Sequence, residues 1–160
     1  MKNVEKYWIL ILIIFGLSMF IKPIVCSLIV GLLATYFGIE SIYFLKSIQK
    51  NGIEYTGNII KYESDSDGHK TPLIEFTTPS GEYVKEQPYI YASSDLSIIR
   101  TYKKFVDQPV SILYDPVDPK KFVITSEKEF NYMVLFIVLL AGLFFVGLFF
   151  SVILGYIKFN

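Results

Sequence analysis

Along the chain, apolar and polar residues separate into three blocks. From Tyr7 to Ile39 a single one of 33 residues is charged, Lys22, and Pro23 follows it directly. From Asn131 to Ile157 none of 27 residues is charged. The second run exceeds the roughly 20 apolar residues that cross about 30 Å of hydrocarbon, so it predicts a transmembrane helix over 130–157, with Tyr132 and Tyr156 at headgroup level. A straight helix over the first run would measure about 50 Å, which is too long for one bilayer. Proline lacks a backbone donor and disfavours a helical residue before it, so Lys22-Pro23 is the natural turn. The expected arrangement is a helical hairpin with spans near 7–21 and 24–45. The alternative is one tilted, kinked span with an interfacial extension.

Between these blocks the period changes. Residues 52–126 hold six of the seven prolines and most of the charge. Tyr55–Glu63 and Leu73–Thr78 are rich in branched and aromatic residues and flank a Ser-Asp-Ser-Asp-Gly-His-Lys turn. Pro79-Ser80-Gly81 supplies a second turn into Glu82–Tyr91. Gln108–Tyr114 and Lys121–Thr125 read as fourth and fifth strands across the Asp115–Pro119 turn, while Ser93–Lys104 reads as a short helix, capped by Ser93 or Ser94, or a long loop. The predicted fold class is therefore membrane α-helices plus a small all-β domain: three, alternatively two, transmembrane helices with an inserted five-stranded antiparallel sheet or small partly open barrel. The predicted domains are 1–50, 52–126 and 130–157.

Composition narrows the function classes. The chain is 52% hydrophobic and 19% charged, with 15 basic against 15 acidic residues. A nucleic-acid binder needs a basic face, and none is indicated. One cysteine allows neither an internal disulfide nor a thiolate zinc cluster, and one histidine is too few for most catalytic triads and histidine metal sites. Lys2 and Lys6 precede an apolar stretch as in a signal peptide, yet no small-x-small cleavage site follows, so retained anchors are expected. With three spans, Lys2, Lys6, Lys46, Lys50, Lys120, Lys121 and Lys128 share one side against Lys22 and Lys158, which places the β domain in the cytoplasm. With two spans the domain faces outward.

Candidate sites are few. Ser27, Gly31 and Thr35 recur every four residues, as do Gly147, Ser151 and Gly155; in an antiparallel pair Ser27 would lie level with Gly155, and Thr35 with Gly147, as a helix-packing seam. Cys26 reads as a packing residue. Asp65, Asp67 and Gly68 resemble the start of a calcium loop, but the position for a bidentate glutamate holds Phe76, so Asp67 and Gly68 read as a hairpin turn, with His69 a solvated neighbour. Asp115, Pro116, Asp118 and Pro119 read as a rigid turn, aspartate bonding the backbone ahead while proline fixes φ. Glu75 is expected on a strand surface, and Glu40 near the end of the second span. Tyr83, Tyr89, Tyr91 and Tyr102 form an aromatic group suited to core packing or to a partner surface. Lys103-Lys104 and Lys120-Lys121 suit weak contacts with anionic headgroups.

Three segments together resemble a bacterial membrane family catalogued as domain of unknown function 3592: Thr56-Gly57-Asn58-Ile59-Ile60, Pro72–Thr78 followed by Gly81, and Val110–Pro116 with Asp118-Pro119. The similarity covers about residues 25–157; the span before it has no counterpart in that pattern. The resemblance implies a small β domain between transmembrane helices and no activity. Some proteins of this design resemble immunity proteins. The expectation is a non-catalytic inner-membrane protein, without cofactor or metal, whose partners are membrane lipid and a protein: a toxin it neutralises or, alternatively, an envelope complex in which it is an accessory or scaffold subunit.

Overall fold

A computed structural model describes residues 2–64, 68–92 and 102–157. Its three α-helices among these residues are α1 (Lys2–Ile21), α2 (Ile24–Asn51) and α3 (Lys128–Ile153). Its five strands are β1 (Ile53–Ser64), β2 (Lys70–Thr77), β3 (Tyr83–Glu86), β4 (Pro109–Tyr114) and β5 (Phe122–Ile124), forming an antiparallel half-barrel sheet. Among the described residues two apolar helices, Ile24–Asn51 and Thr125–Ile153, are long and apolar enough to cross a membrane; the apolar part of α1, Tyr7–Ile21, is shorter. The chain divides into two compact units, one of residues 1–40 with 135–160, the other of residues 41–134.

In the helical unit, α1 and α2 are separated by Lys22 and Pro23 alone. The chain folds back there: Cys26 Sγ lies 3.1 Å from Ser18 Oγ and 3.7 Å from the Phe15 carbonyl oxygen. In one straight helix residues 15 and 26 would stand about 16 Å apart. Ser18 Oγ also donates to the Phe15 carbonyl, and Ser27 Oγ to the Ile24 carbonyl, so neither hydroxyl is left bare. α2 and α3 approach along Gly31, Thr35 and Gly38. A Cβ added at Gly31 would meet the Gly142 carbonyl oxygen at 2.8 Å, and one at Gly142 would meet Thr35 Oγ1 at 2.6 Å. One at Gly38 would meet Leu139 Cβ at 3.3 Å. Small residues thus let two backbones touch, while large side chains such as Phe20 (91% exposed) and Phe144 (65% exposed) point away.

The levels along this seam differ from the expected ones. Thr35 lies against Gly142 and not Gly147; a Cβ at Gly147 or Gly155 would meet nothing within 4 Å. Ser151 Oγ donates to the Gly147 carbonyl within its own helix. Gly142 is the residue the four-residue spacing passed over.

In the β unit the sheet order is β3-β2-β1-β4-β5. β1 is central because its 12 residues are long enough to pair on both edges, with β2 from Asn58 to Ser64 and with β4 from Ile53 to Asn58. Phe76, Ile74, Val84, Ile112, Tyr114 and Phe122 form the core; Phe122, Ile74 and Ile112 are fully enclosed, at 0% exposure. Gly57 is there because a Cβ would meet Ile74 Cγ2 at 2.6 Å. The β2–β3 turn is held by Thr78 Oγ1, which accepts the Glu82 N–H at 3.0 Å, with Gly81 at φ +89°. Asp115 Oδ1 accepts the Val117 N–H at 2.9 Å and the Asp115 N–H donates to the Lys121 carbonyl, closing the β4–β5 turn over the Tyr114–Phe122 pair.

The third strand, expected over Glu82–Tyr91, stops at Glu86. Pro88 has no N–H for the ladder, and beyond it the Tyr89 N–H donates to the Phe122 carbonyl of β5, across the open side of the sheet. The expected helix or loop at Ser93–Lys104 lies largely outside the described residues, apart from a 3₁₀ turn at Lys103–Phe105, and Asp65 and Asp67 lie outside them too.

Candidate ligand cavity

β1 carries a bulge: Ile59 pairs with Ile74 and Lys61 with Leu73, so Ile60 is an extra residue. Side chains three apart on a regular strand face opposite ways, and one inserted residue brings them to the same side. Ile59 and Tyr62 accordingly line one cavity of about 450 Å³. The Asp107 N–H donates to the Ile59 carbonyl and the Ile59 N–H to the Gln108 carbonyl, fixing the wall where the bulge opens the ladder. Asp107 takes φ +60° there, a left-handed conformation that aspartate tolerates.

The aromatic lining comes from four parts of the sequence: Tyr62 from β1, Tyr91 from the segment after β3, Tyr102 and Phe105 before β4, and Phe130 from the first turn of α3. Tyr62 and Tyr102 stack with centroids 4.4 Å apart and planes 22° apart, and Phe105 leans on Tyr102 at 6.1 Å. Glu127, from the 3₁₀ turn Thr125–Glu127 before α3, adds a half-buried carboxylate. Burial pushes the Tyr91 phenol far above its ordinary range, and Glu127, Tyr62 and Tyr102 push it further. Tyr62 is raised by burial, then by Tyr102 and Glu127. Both phenols therefore stay protonated at neutral pH and act as hydrogen-bond donors, not bases. None of the described lining residues is cationic.

Asn131, one turn into α3, anchors this wall. It is 1% exposed; its Nδ2 donates to the Ile90 carbonyl and its Oδ1 accepts the Ala92 N–H at 2.9 Å. One buried amide thus satisfies two backbone groups of the segment that carries Tyr91.

Of the four tyrosines read as a partner surface, Tyr91 and Tyr102 line the cavity. Tyr83 stands on β3 and donates to Glu75 Oε2 at 2.8 Å, which raises its phenol through that bond. Tyr89 packs on Phe44 at 4.6 Å, with Lys121 Nζ 5.8 Å from its ring centroid. Tyr62, Glu127, Phe130 and Asn131 were not singled out by their sequence. Glu127 and Asn131 sit at a helix start, where polar residues are ordinary, and Tyr62 looked like any strand aromatic until the bulge turned it. Among the described residues no group of three or more His, Cys, Asp or Glu side chains is placed to hold a metal ion.

No family model, curated protein or solved structure matches the chain. The functional reading rests on the cavity and on the apolar helices.

Proposed function

We propose that this chain is a non-catalytic, multi-pass protein of the bacterial inner membrane that acts by binding a protein partner through its β domain. The observation that carries the reading is the cavity: rigid aromatic bodies with protonated phenol tips around Glu127, the one carboxylate among the described lining residues. That is the composition of recognition sites, where large side chains with few rotors give contact area at low entropic cost. Catalysis by a lone carboxylate would need a companion acid or base of different pKa, and the raised phenols do not supply one at neutral pH.

The finer parts of the reading follow the same proposal. α1 serves as a third, short span, the β domain faces the cytoplasm, and the chain is kin to the domain of unknown function 3592 family, a reading supported by the Tyr114-Asp115-Pro116 and Asp118-Pro119 residues of its sequence. An immunity role, neutralising a toxin at the membrane, is the most concrete version.

The test is a photocrosslinking amino acid at position 102 in the native membrane, with mass spectrometry of the adducts. Crosslinks to a toxin made by the same cells support immunity. Crosslinks to subunits of a stable envelope complex move the role to an accessory or scaffold subunit. Adducts with lipid alone overturn protein binding through this face.

A further inference from the structure

The lining has a charge character that the binding reading leaves unused. Tyr62, Tyr91, Tyr102, Phe105 and Phe130 gather five aromatic rings along one cavity, and the faces of such rings carry negative quadrupole potential that attracts a cation within about 6 Å. Glu127 adds formal negative charge to the same lining. The described lining residues offer no lysine, arginine or histidine to neutralise it. The ring of Tyr102 already draws a cation, since Lys70 Nζ stands 6.0 Å from its centroid, and Lys70 is not one of the lining residues. At about 450 Å³ the space falls within the range of small-ligand sites, about 300–1,000 Å³, which is larger than a bare ion requires. An anion would meet Glu127 with no basic partner among the described lining residues. A neutral aromatic body would stack but leave the carboxylate uncompensated.

We propose that the cavity receives the cationic side chain of an arginine or lysine presented by the protein partner, its stem against the aromatic rings and its head beside Glu127. The proposal rests on the binding reading and specifies its chemistry. Arginine is the better fit, because a planar guanidinium stacks on rings and bonds a carboxylate with two N–H groups at once. The side-chain amide oxygen of Gln108 and the hydroxyl of Ser126 are additional acceptors carried by residues of the lining.

The experiment uses the full chain in neutral detergent micelles, titrated with N-acetyl-arginine amide and with N-acetyl-citrulline amide, and followed by tyrosine-region NMR shifts. The two probes have nearly the same shape, but the second is uncharged. Saturable shifts with arginine binding about tenfold tighter than citrulline are expected, with Glu127→Gln removing most of the difference and Tyr102→Leu weakening both probes. Equal binding of the two probes to the unmodified chain, or no saturable shift, overturns the proposal, and that comparison requires no variant to fold. Wild-type discrimination that survives Glu127→Gln overturns the role of Glu127 and with it the proposed pose. Failure here with protein crosslinks still seen at position 102 removes the cationic chemistry alone; discrimination between the probes with lipid adducts alone removes the protein partner.

Discussion

The two units of this chain are built on opposite packing rules. In the β unit large side chains turn inward, so that Phe122, Ile112 and Ile74 vanish from the surface and the exposed strand positions carry Lys61, Lys85 and Glu86. In the helical unit the smallest residues face each other and Leu10, Phe20, Phe136 and Phe144 face out. Water drives the first arrangement, since enclosing apolar surface is favourable there. It cannot drive the second if the outer face lies in hydrocarbon, where leucine gains nothing by turning inward and close backbone contact is what remains. The contrast locates stability in side-chain volume for one unit and in side-chain absence for the other.

The sharpest way to break that contrast is to empty the β core. Phe122→Ala should cost about 3–5 kcal/mol in chemical unfolding monitored by β-sheet circular dichroism. A cost below about 1 kcal/mol would mean the half-barrel draws its stability from elsewhere. Next comes filling the helical seam. Cysteines replacing Gly38 and Leu139, in a Cys26→Ala background, should form a disulfide on oxidation, given the 3.3 Å approach of the two Cβ positions. Gly142→Leu should abolish that crosslink through overpacking of about 1–3 kcal/mol, and Gly147→Leu should leave it intact. Loss of the crosslink in Gly147→Leu with its retention in Gly142→Leu would place the seam where the four-residue spacing first put it.

Asn131→Leu is expected to cost about 1–2 kcal/mol, because it strands the Ile90 carbonyl and the Ala92 N–H while adding apolar volume. Protease sensitivity around Ile90–Ala92 should rise with it. The smallest effect concerns pH. A phenol whose folded pKa is raised contributes stability that is whole below its unfolded value, about 10, and is lost as pH climbs toward the folded one. Burial raises Tyr91 in this way, so unfolding midpoints should fall above about pH 10, and Tyr91→Phe should flatten that fall. An unchanged alkaline slope would mean that Tyr91 is wetter than its surroundings indicate.

Local chemistry explains which features were legible in the sequence. Five strands, the reversal at Lys22-Pro23 and the Asp115 turn are written in neighbouring residues: alternation, a missing donor, a side chain that bonds two positions ahead. The seam was misplaced by one turn or more because glycine, serine and threonine spaced by four occur at several levels of an apolar helix, and only the partner backbone chooses among them. Gly142 has no small neighbour four residues away to mark it, since Val138 and Val146 occupy those positions. The cavity was hidden for a different reason. Its lining joins Tyr62 to Glu127 across most of the domain, and it depends on a bulge at Ile60 that no residue type announces. Pro88 did announce the end of β3, and the alternation of tyrosines around it concealed the stop.

The placement of β1 in the middle of the sheet has a consequence for synthesis on the ribosome. One side of β1 finds its partner as soon as β2 emerges, and β3 follows within a short turn. The other side must wait for β4, from Pro109, after the whole stretch beyond Glu86 has been translated. At about 5–20 residues per second that interval lasts about 1–5 s, during which a half-finished sheet presents unpaired N–H and C=O groups along its longest strand. The nascent chain is therefore most exposed to wrong pairing between the synthesis of β3 and that of β4, before α3 has been made.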